Sequence, residues 1–467
     1  MGRIWAICRL TVSEAIRKKI AIVFIFMMMF ILVSLPFVMR GDDTLRGRVQ
    51  TYLAYSLSSM GFLLSMLTIL LACGSVALEI KSKKIQLIGT KPVPRWQLLL
   101  GKWLGIVLLD LVLLVIGTGG IYGMTRYLAS LPGTNADDKA ALFNEVLTAR
   151  AGVPMEVPDF SAQVARRFES MREEGRIRTT DETALKHIKL DIELGLIRDH
   201  RTVAAHATRV WEFHNLLVKR EPGQYVHLRY RLRAAPTPPR EMIDFFWVVG
   251  DRTKGTGELA YPRNERVDRV MELPIPTELV ADDGTLRVAL VNVHPDDPKI
   301  TYNARISFEE EDKPELLYVI GTFGGNLIRA VSILYCRLLF LAAAGICAST
   351  YLGFPVACLV CIILFLAAII SGFIIESMEM IPSRLESIDE PLDYIGYFLR
   401  PIAMAVLKIV PQLSLFNPVP TLVDGRAVTL IWVLDSIAKL VLLRATALGL
   451  LAFVLFQRRE LADTSAS

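Results

Sequence analysis

Three strongly apolar stretches, a polar block of nearly two hundred residues and three more apolar stretches follow one another along this 467-residue chain. The first trio covers 20–38, 52–78 and 98–128, and the second covers 327–349, 354–375 and 428–456. Crossing ~30 Å of hydrocarbon as a helix takes about 20 apolar residues, so all six can span, the last with some tilt. The expected fold class is an α-helical integral membrane protein with six transmembrane helices, three plus three. An inserted α+β domain on one side of the bilayer completes it.

Charge sets the expected orientation. The net charge of +5 hides an asymmetry: residues 131–325 hold 27 basic against 32 acidic side chains, a balance of −5, so the remainder carries +10. Short loops rich in Lys and Arg stay cytoplasmic. Arg3, Arg9, Arg17, Lys18 and Lys19 precede the first stretch. Lys81, Lys83, Lys84, Lys91, Arg95 and Lys102 surround the second loop, and Arg458 and Arg459 follow the last stretch. In a six-span arrangement these groups share one side, so both termini are expected in the cytoplasm and the polar block outside it. Residues 1–19 read as a cytoplasmic interfacial helix, with Ile7, Leu10, Val12 and Ile16 alternating with basic residues. The tail, 457–467, is also cytoplasmic.

The polar block divides by period. Candidate helices lie at 137–151, 159–175, 181–197 and 202–217, several opening on Asp or Thr caps. From 218 to 318 short alternating segments take over, at 225–232, 245–249, 266–273, 286–293 and 304–308, which suggests a small antiparallel sandwich. Asp282, Asp283 and Gly284 read as a hairpin turn. None of the six cysteines falls in this block, so a core and not disulfides must hold it. All six histidines do, without metal-ligand spacing. Residues 378–427 are too charged and proline-interrupted for a seventh span and read as an extracytoplasmic interfacial or re-entrant segment.

The loop at 79–97 is the most specific motif. Glu79 ends the second stretch, a basic amphipathic run follows at 81–88, and Lys91, Pro92, Val93, Pro94 and Arg95 make a turn before Gly101 and Lys102 enter the third stretch. This order and spacing resemble the type 2 ABC exporter permeases, in which such a segment is the coupling helix. Lys83 and Lys84 stand where the family commonly has a Gly-Thr pair. The stretch 410–417, Gly425 and the ending 456–461 also look like this family. The resemblance implies a permease subunit that couples ATP hydrolysis by a separate ATPase subunit to export across a bacterial-type plasma membrane. It implies contact with the ATPase through Glu79, Lys81, Lys84, Lys91, Pro92 and Arg95, and a homodimer or a heterodimer with a related permease.

Five charges inside the apolar stretches are further candidates: Asp110, Arg337, Asp435, Lys439 and Arg444. Charges in hydrocarbon are costly and must pair or face water. Asp435 and Lys439 are one helical turn apart, and Asp110 and Arg444 lie at comparable depths; a polar network along a substrate pathway is the alternative to structural pairing. Glycines 117, 119, 120 and 123 permit close helix contact. The chain carries no Walker-type phosphate loop, zincin His pair, serine elbow or dinucleotide fingerprint, so no catalysis and no cofactor are expected in this chain. ATP and Mg belong to the partner, membrane lipids are the other contact, and nucleic acid is not expected. A membrane-anchored interaction or mechanotransmission protein, recruiting partners through its extracytoplasmic domain, is the competing expectation.

Overall fold

The computed structural model describes residues 2–17, 19–38, 44–82, 94–131, 136–177, 179, 181–218, 223–293, 304–310, 312–379, 401 and 412–458. Contacts divide the chain into two units, Met1–Ala149 with Gly321–Ser467, and Arg150–Ile320.

The first unit is helical. After α1 (Gly2–Arg17) come α2 (Ile20–Val38), α3 (Leu45–Lys81), α4 (Arg95–Ser130) and the short α5 (Ala136–Ala141). The chain returns to this unit with α8 (Phe323–Tyr351), α9 (Phe354–Glu379), the short α10 (Val419–Val423) and α11 (Leu430–Arg458). Helices α2, α3, α4, α8, α9 and α11 are long and apolar enough to cross a membrane, as the six apolar stretches led us to expect, and the chain is an integral membrane protein. Two of them outrun the apolar pattern: α3 has 37 residues and α4 has 36, about 55 Å and 54 Å at 1.5 Å per residue, longer than the ~30 Å a span has to cover.

Burial ranks the six helices. The apolar windows of α3 and α8 are 78% buried, whereas those of α2, α9 and α11 are 17–28% buried. Two helices therefore form the centre and three present apolar side chains outward, to lipid or a neighbouring chain. Close approach uses small residues: a Cβ on Gly117 of α4 would lie 2.6 Å from Met60 Sδ, and one on Gly345 of α8 would lie 2.5 Å from Ala72 Cβ. Gly119 and Gly123 meet nothing within 4 Å.

The N-terminus of α3 is closed by side chains. Thr44 Oγ1 accepts from Gly47 N, Asp138 accepts from Leu45 N at 2.7 Å and Arg46 N at 3.3 Å, and Arg46 pairs with Glu145. Asn326, 1% exposed, donates to Arg426 O and accepts from Val428 N, each at 2.7 Å. These bonds satisfy backbone groups just before α11 that burial would otherwise leave without water. Within the segment 378–427, the 3-10 turn Leu413–Phe416 packs on α9, where Ser414 and Ser371 hydroxyls lie 3.2 Å apart, and α10 meets α3 through Gln50 and Val423 O. The rest of that segment, 380–400 and 402–411, lies outside the described residues.

The second unit is a sandwich of antiparallel strands with two helices, α6 (Ser161–Glu173) and α7 (Glu182–His200). Strands β1 (Thr148–Pro154), β4 (Tyr225–Arg231), β8 (Val270–Pro276) and β11 (Glu315–Thr322) make one sheet in the order β1-β11-β4-β8. Strands β3 (Thr208–Phe213), β6 (Met242–Gly250), β7 (Glu258–Arg266) and β9 (Leu286–Val291) make the other, β3-β9-β6-β7. The short strands β2 (Thr202–Val203), β5 (Arg233–Ala235) and β10 (Arg305–Ser307) form a third ribbon, β2-β10-β5. Inward residues of both large sheets meet around Trp247, whose ring lies 5.0 Å from Tyr230 and 6.1 Å from Phe245, the alternation a half-buried sheet requires.

Four expectations for the inserted polar block fail, one of them the strand at 266–273, where β7 ends at Arg266 and β8 starts at Val270. The stretch 202–217 is not a helix: it forms β2 and β3, with Trp211 and Phe213 buried two apart and β3 paired along its whole length with β9. Pairing with a distant strand overrides a local pattern compatible with a helix. The helix expected through 151 ends earlier, because β1 begins at Thr148. The turn at Asp282–Gly284 does not close a hairpin, since β8 and β9 belong to different sheets. It carries the chain from one sheet to the other, and Leu216 N donates to Gly284 O at 3.0 Å. Asp283 there accepts from Lys254 at 2.7 Å, and that ammonium with Thr285 holds its carboxyl well below the usual range.

Candidate functional site

Glu79 sits at the last turn of α3 and Lys102 at the third turn of α4, both buried. Lys102 Nζ lies 2.6 Å from Glu79 Oε1 and donates to Ser75 O at 2.7 Å. One ammonium thus ties the ends of two helices. Burying such a pair is costly unless its geometry is good and further hydrogen bonds satisfy it; Ser75 O supplies one of them.

Arg95 opens α4 at the other end of the loop. Its Nη1 donates to Phe456 O at 2.7 Å and Gln457 O at 3.0 Å, and the guanidinium stands 5.5 Å from the centre of the Phe456 ring. Carbonyls in the last turn of a helix lack intrahelical donors, and a cation there also complements the helix dipole. Arg95 therefore caps α11 from a different element. Its guanidinium is engaged within the chain, whereas the motif implied a partner contact.

Gly101 and Gly105 seat α1 against α4. A Cβ on Gly101 would be 2.8 Å from Ile7 Cβ, and one on Gly105 would be 2.7 Å from Thr11 Cβ and 2.9 Å from Cys8 O. The Gly-Lys pair of the motif thus has two separate jobs: Gly101 admits α1, and Lys102 neutralises Glu79.

Lys81 is exposed at the end of α3. Lys84, Lys91 and Pro92, with the run 83–93 to which they belong, lie outside the described residues. What the structure defines is the anchorage of that run: Ser82 on one side, next to the Glu79–Lys102 pair, and Pro94 on the other, next to the Arg95 cap. Sequence reasoning named Glu79, Arg95 and Lys102 in one motif but not the contacts they make, because spacing does not say which side chains of two helices meet and a backbone carbonyl carries no residue signature.

The intramembrane charges are not one network. Asp435 and Lys439 pair at 2.9 Å on a partly exposed face of α11, as their one-turn spacing suggests. Asp110, 0% exposed, has its Oδ2 hydrogen-bonded with Thr68 Oγ1 at 2.9 Å and makes no ion pair among the described residues. It does not meet Arg444. Residues Ile437–Ala445 form a π-helical segment inside α11, and its wider turn changes the face on which Arg444 emerges relative to an unbroken α-helix. Arg337 is buried on α8, with its guanidinium 5.9 Å from the Phe365 ring centre and Nε unpartnered among the described residues. The thiols of Cys73 and Cys361 are 3.9 Å apart between α3 and α9.

Compared with protein-family models, with curated proteins and with solved structures, the chain matches none.

Proposed function

We propose that this chain is the membrane-spanning subunit of an ABC exporter, in which a separate ATPase subunit hydrolyses ATP and the spans carry cargo across a plasma membrane. The observation that carries the reading is the anchorage of 83–93. Glu79–Lys102 joins α3 to α4, Arg95 joins α4 to the end of α11, and Gly101 and Gly105 seat α1. Force applied to the basic run between these anchors reaches three spans and α1 together, as a relay from an ATPase requires. Four of the anchoring residues, Glu79, Arg95, Gly101 and Lys102, are among those through which the chain resembles the type 2 permeases.

In this reading both termini and 83–93 face the cytoplasm, and 150–320 lies outside it. Two permease subunits, alike or related, enclose the pathway. Asp435 and Lys439 on the outward face of α11 support a second subunit or a water-lined path, because lipid is a costly neighbour for them.

The test is affinity purification of the tagged protein from native membranes in mild detergent. An ABC ATPase in stoichiometric amount is expected, and Lys84→Glu with Lys91→Glu should release it while the permease elutes as a single species. Reproducible absence of an ATPase, with extracytoplasmic proteins in its place, would refute the exporter and favour an anchored interaction protein.

A further inference from the structure

Thr68 makes two short oxygen contacts and has one proton to give. Its hydroxyl oxygen lies 2.7 Å from Leu64 O, one turn back on α3, and 2.9 Å from Asp110 Oδ2 on α4. A carbonyl oxygen and an ionised carboxylate are acceptors only, and a threonine hydroxyl has one proton to give. With Asp110 ionised, the single hydroxyl hydrogen would have to be shared between these two short oxygen contacts. Both are satisfied when Thr68 donates to Leu64 O and Asp110 Oδ2–H donates to Thr68 Oγ1.

The surroundings agree. Asp110 and Thr68 are both 0% exposed, and Asp110 Oδ1 has no hydrogen-bond partner among the described residues. A charged carboxylate buried without pairing is far costlier than a neutral acid. Of the other helices packed on α4, α2 carries no charged residue, α11 pairs its Asp435 with Lys439, and α1 brings Glu14 to a cavity that Leu109 also lines. On α4 and α3, Lys102 and Glu79 pair with each other. On α8, Tyr335 donates to Val107 O at 3.2 Å, Arg337 stacks on Phe365, and Cys336 is buried. Asp110 lies 15 residues from one end of α4 and 20 from the other, about 22 Å and 30 Å along the axis, deep in the bundle.

We propose that Asp110 is a proton-binding site in the interior of the helix bundle, with Thr68 as the acceptor that holds its acid form. The ligand is a proton drawn from water, which forms the Oδ2–H bond; its release returns a proton to water and leaves a carboxylate. The site does not depend on the exporter reading.

Infrared spectroscopy of the full chain in lipid vesicles at neutral pH tests this. The spectrum of the wild type minus that of Asp110→Asn should contain the carbonyl band of a protonated carboxyl group, shifted in heavy water. Thr68→Val keeps the volume, removes the acceptor and should move that band to higher frequency. Asp110→Asn can donate its amide to Thr68 as the acid does, so its melting temperature should match the wild type. Carboxylate bands in place of the carbonyl band would overturn the proposal and make Asp110 a counter-ion, and a band unmoved by Thr68→Val would overturn it by removing Thr68 as the acceptor. Should Asp110→Asn fail to fold, the Thr68→Val comparison with wild type decides alone.

Discussion

Replacing Lys102 by Met tests whether the Glu79–Lys102 pair holds α3 to α4. The two side chains are 3% and 10% exposed at 2.6 Å, and Glu79 Oε2 has no hydrogen-bond partner among the described residues. Lys102→Met therefore leaves a buried carboxylate without its cation, a loss of about 3–5 kcal/mol. Glu79→Gln leaves the ammonium its bond to Ser75 O at 2.7 Å, so its cost should be lower, about 1.5–3 kcal/mol, as for one charge-assisted hydrogen bond. The double variant buries no charge and should recover most of the Lys102→Met loss. Unfolding of the purified full chain in mixed micelles, or its melting followed by size exclusion, gives the order wild type, double variant, Glu79→Gln, Lys102→Met. A Lys102→Met protein within about 1 kcal/mol of wild type, less than breaking a buried pair costs, would refute the reasoning. So would a double variant less stable than Lys102→Met.

Two other predictions concern separate parts of the chain. Gly425 has φ +64°, and a Cβ there would lie 1.9 Å from Glu145 O; Gly425→Ala should cost about 1–3 kcal/mol for the conformation alone and more for the backbone overlap, and a melting temperature equal to wild type would count against this close approach. Glu265 is buried beside Tyr230, whose hydroxyl donates to both carboxylate oxygens, and burial pushes its carboxyl up. The folded state then binds the proton more tightly than the unfolded one, so this group's contribution falls as pH rises above the ordinary carboxylate range. Glu265→Gln should accordingly be more stable than wild type at pH 7, with the difference fading as the medium is acidified towards that range. Equal stability of the two proteins at pH 7, measured by unfolding of the full chain, would contradict the assignment.

The six spans were legible because hydrocarbon imposes a length and a composition on each helix separately. So were α6, α7 and most of β4, β6, β9 and β10, where capping residues or alternation act within a few neighbours. The strand β3 was not: Thr202 to Phe213 fits a helix locally, and its state follows from β9, more than seventy residues further on. The site divides in the same way. Glu79, Arg95, Gly101 and Lys102 stood out by order and spacing, but nothing in that order says that Lys102 neutralises Glu79, that Arg95 caps α11, or that Gly101 admits α1.

The intramembrane charges make the distinction sharper. Asp435 and Lys439 pair because one helix fixes their separation, so four positions of sequence determine the contact. Asp110 and Thr68 meet across two helices, and depth along α4 could not choose between Thr68 and Arg444. By itself, then, the sequence determined what the bilayer and the helix repeat dictate: six spans, an inserted polar domain and charges that need partners. Only the tertiary structure decided who those partners are, because rotation of one helix about its axis, or a π turn within it, moves a side chain to another face without changing its depth.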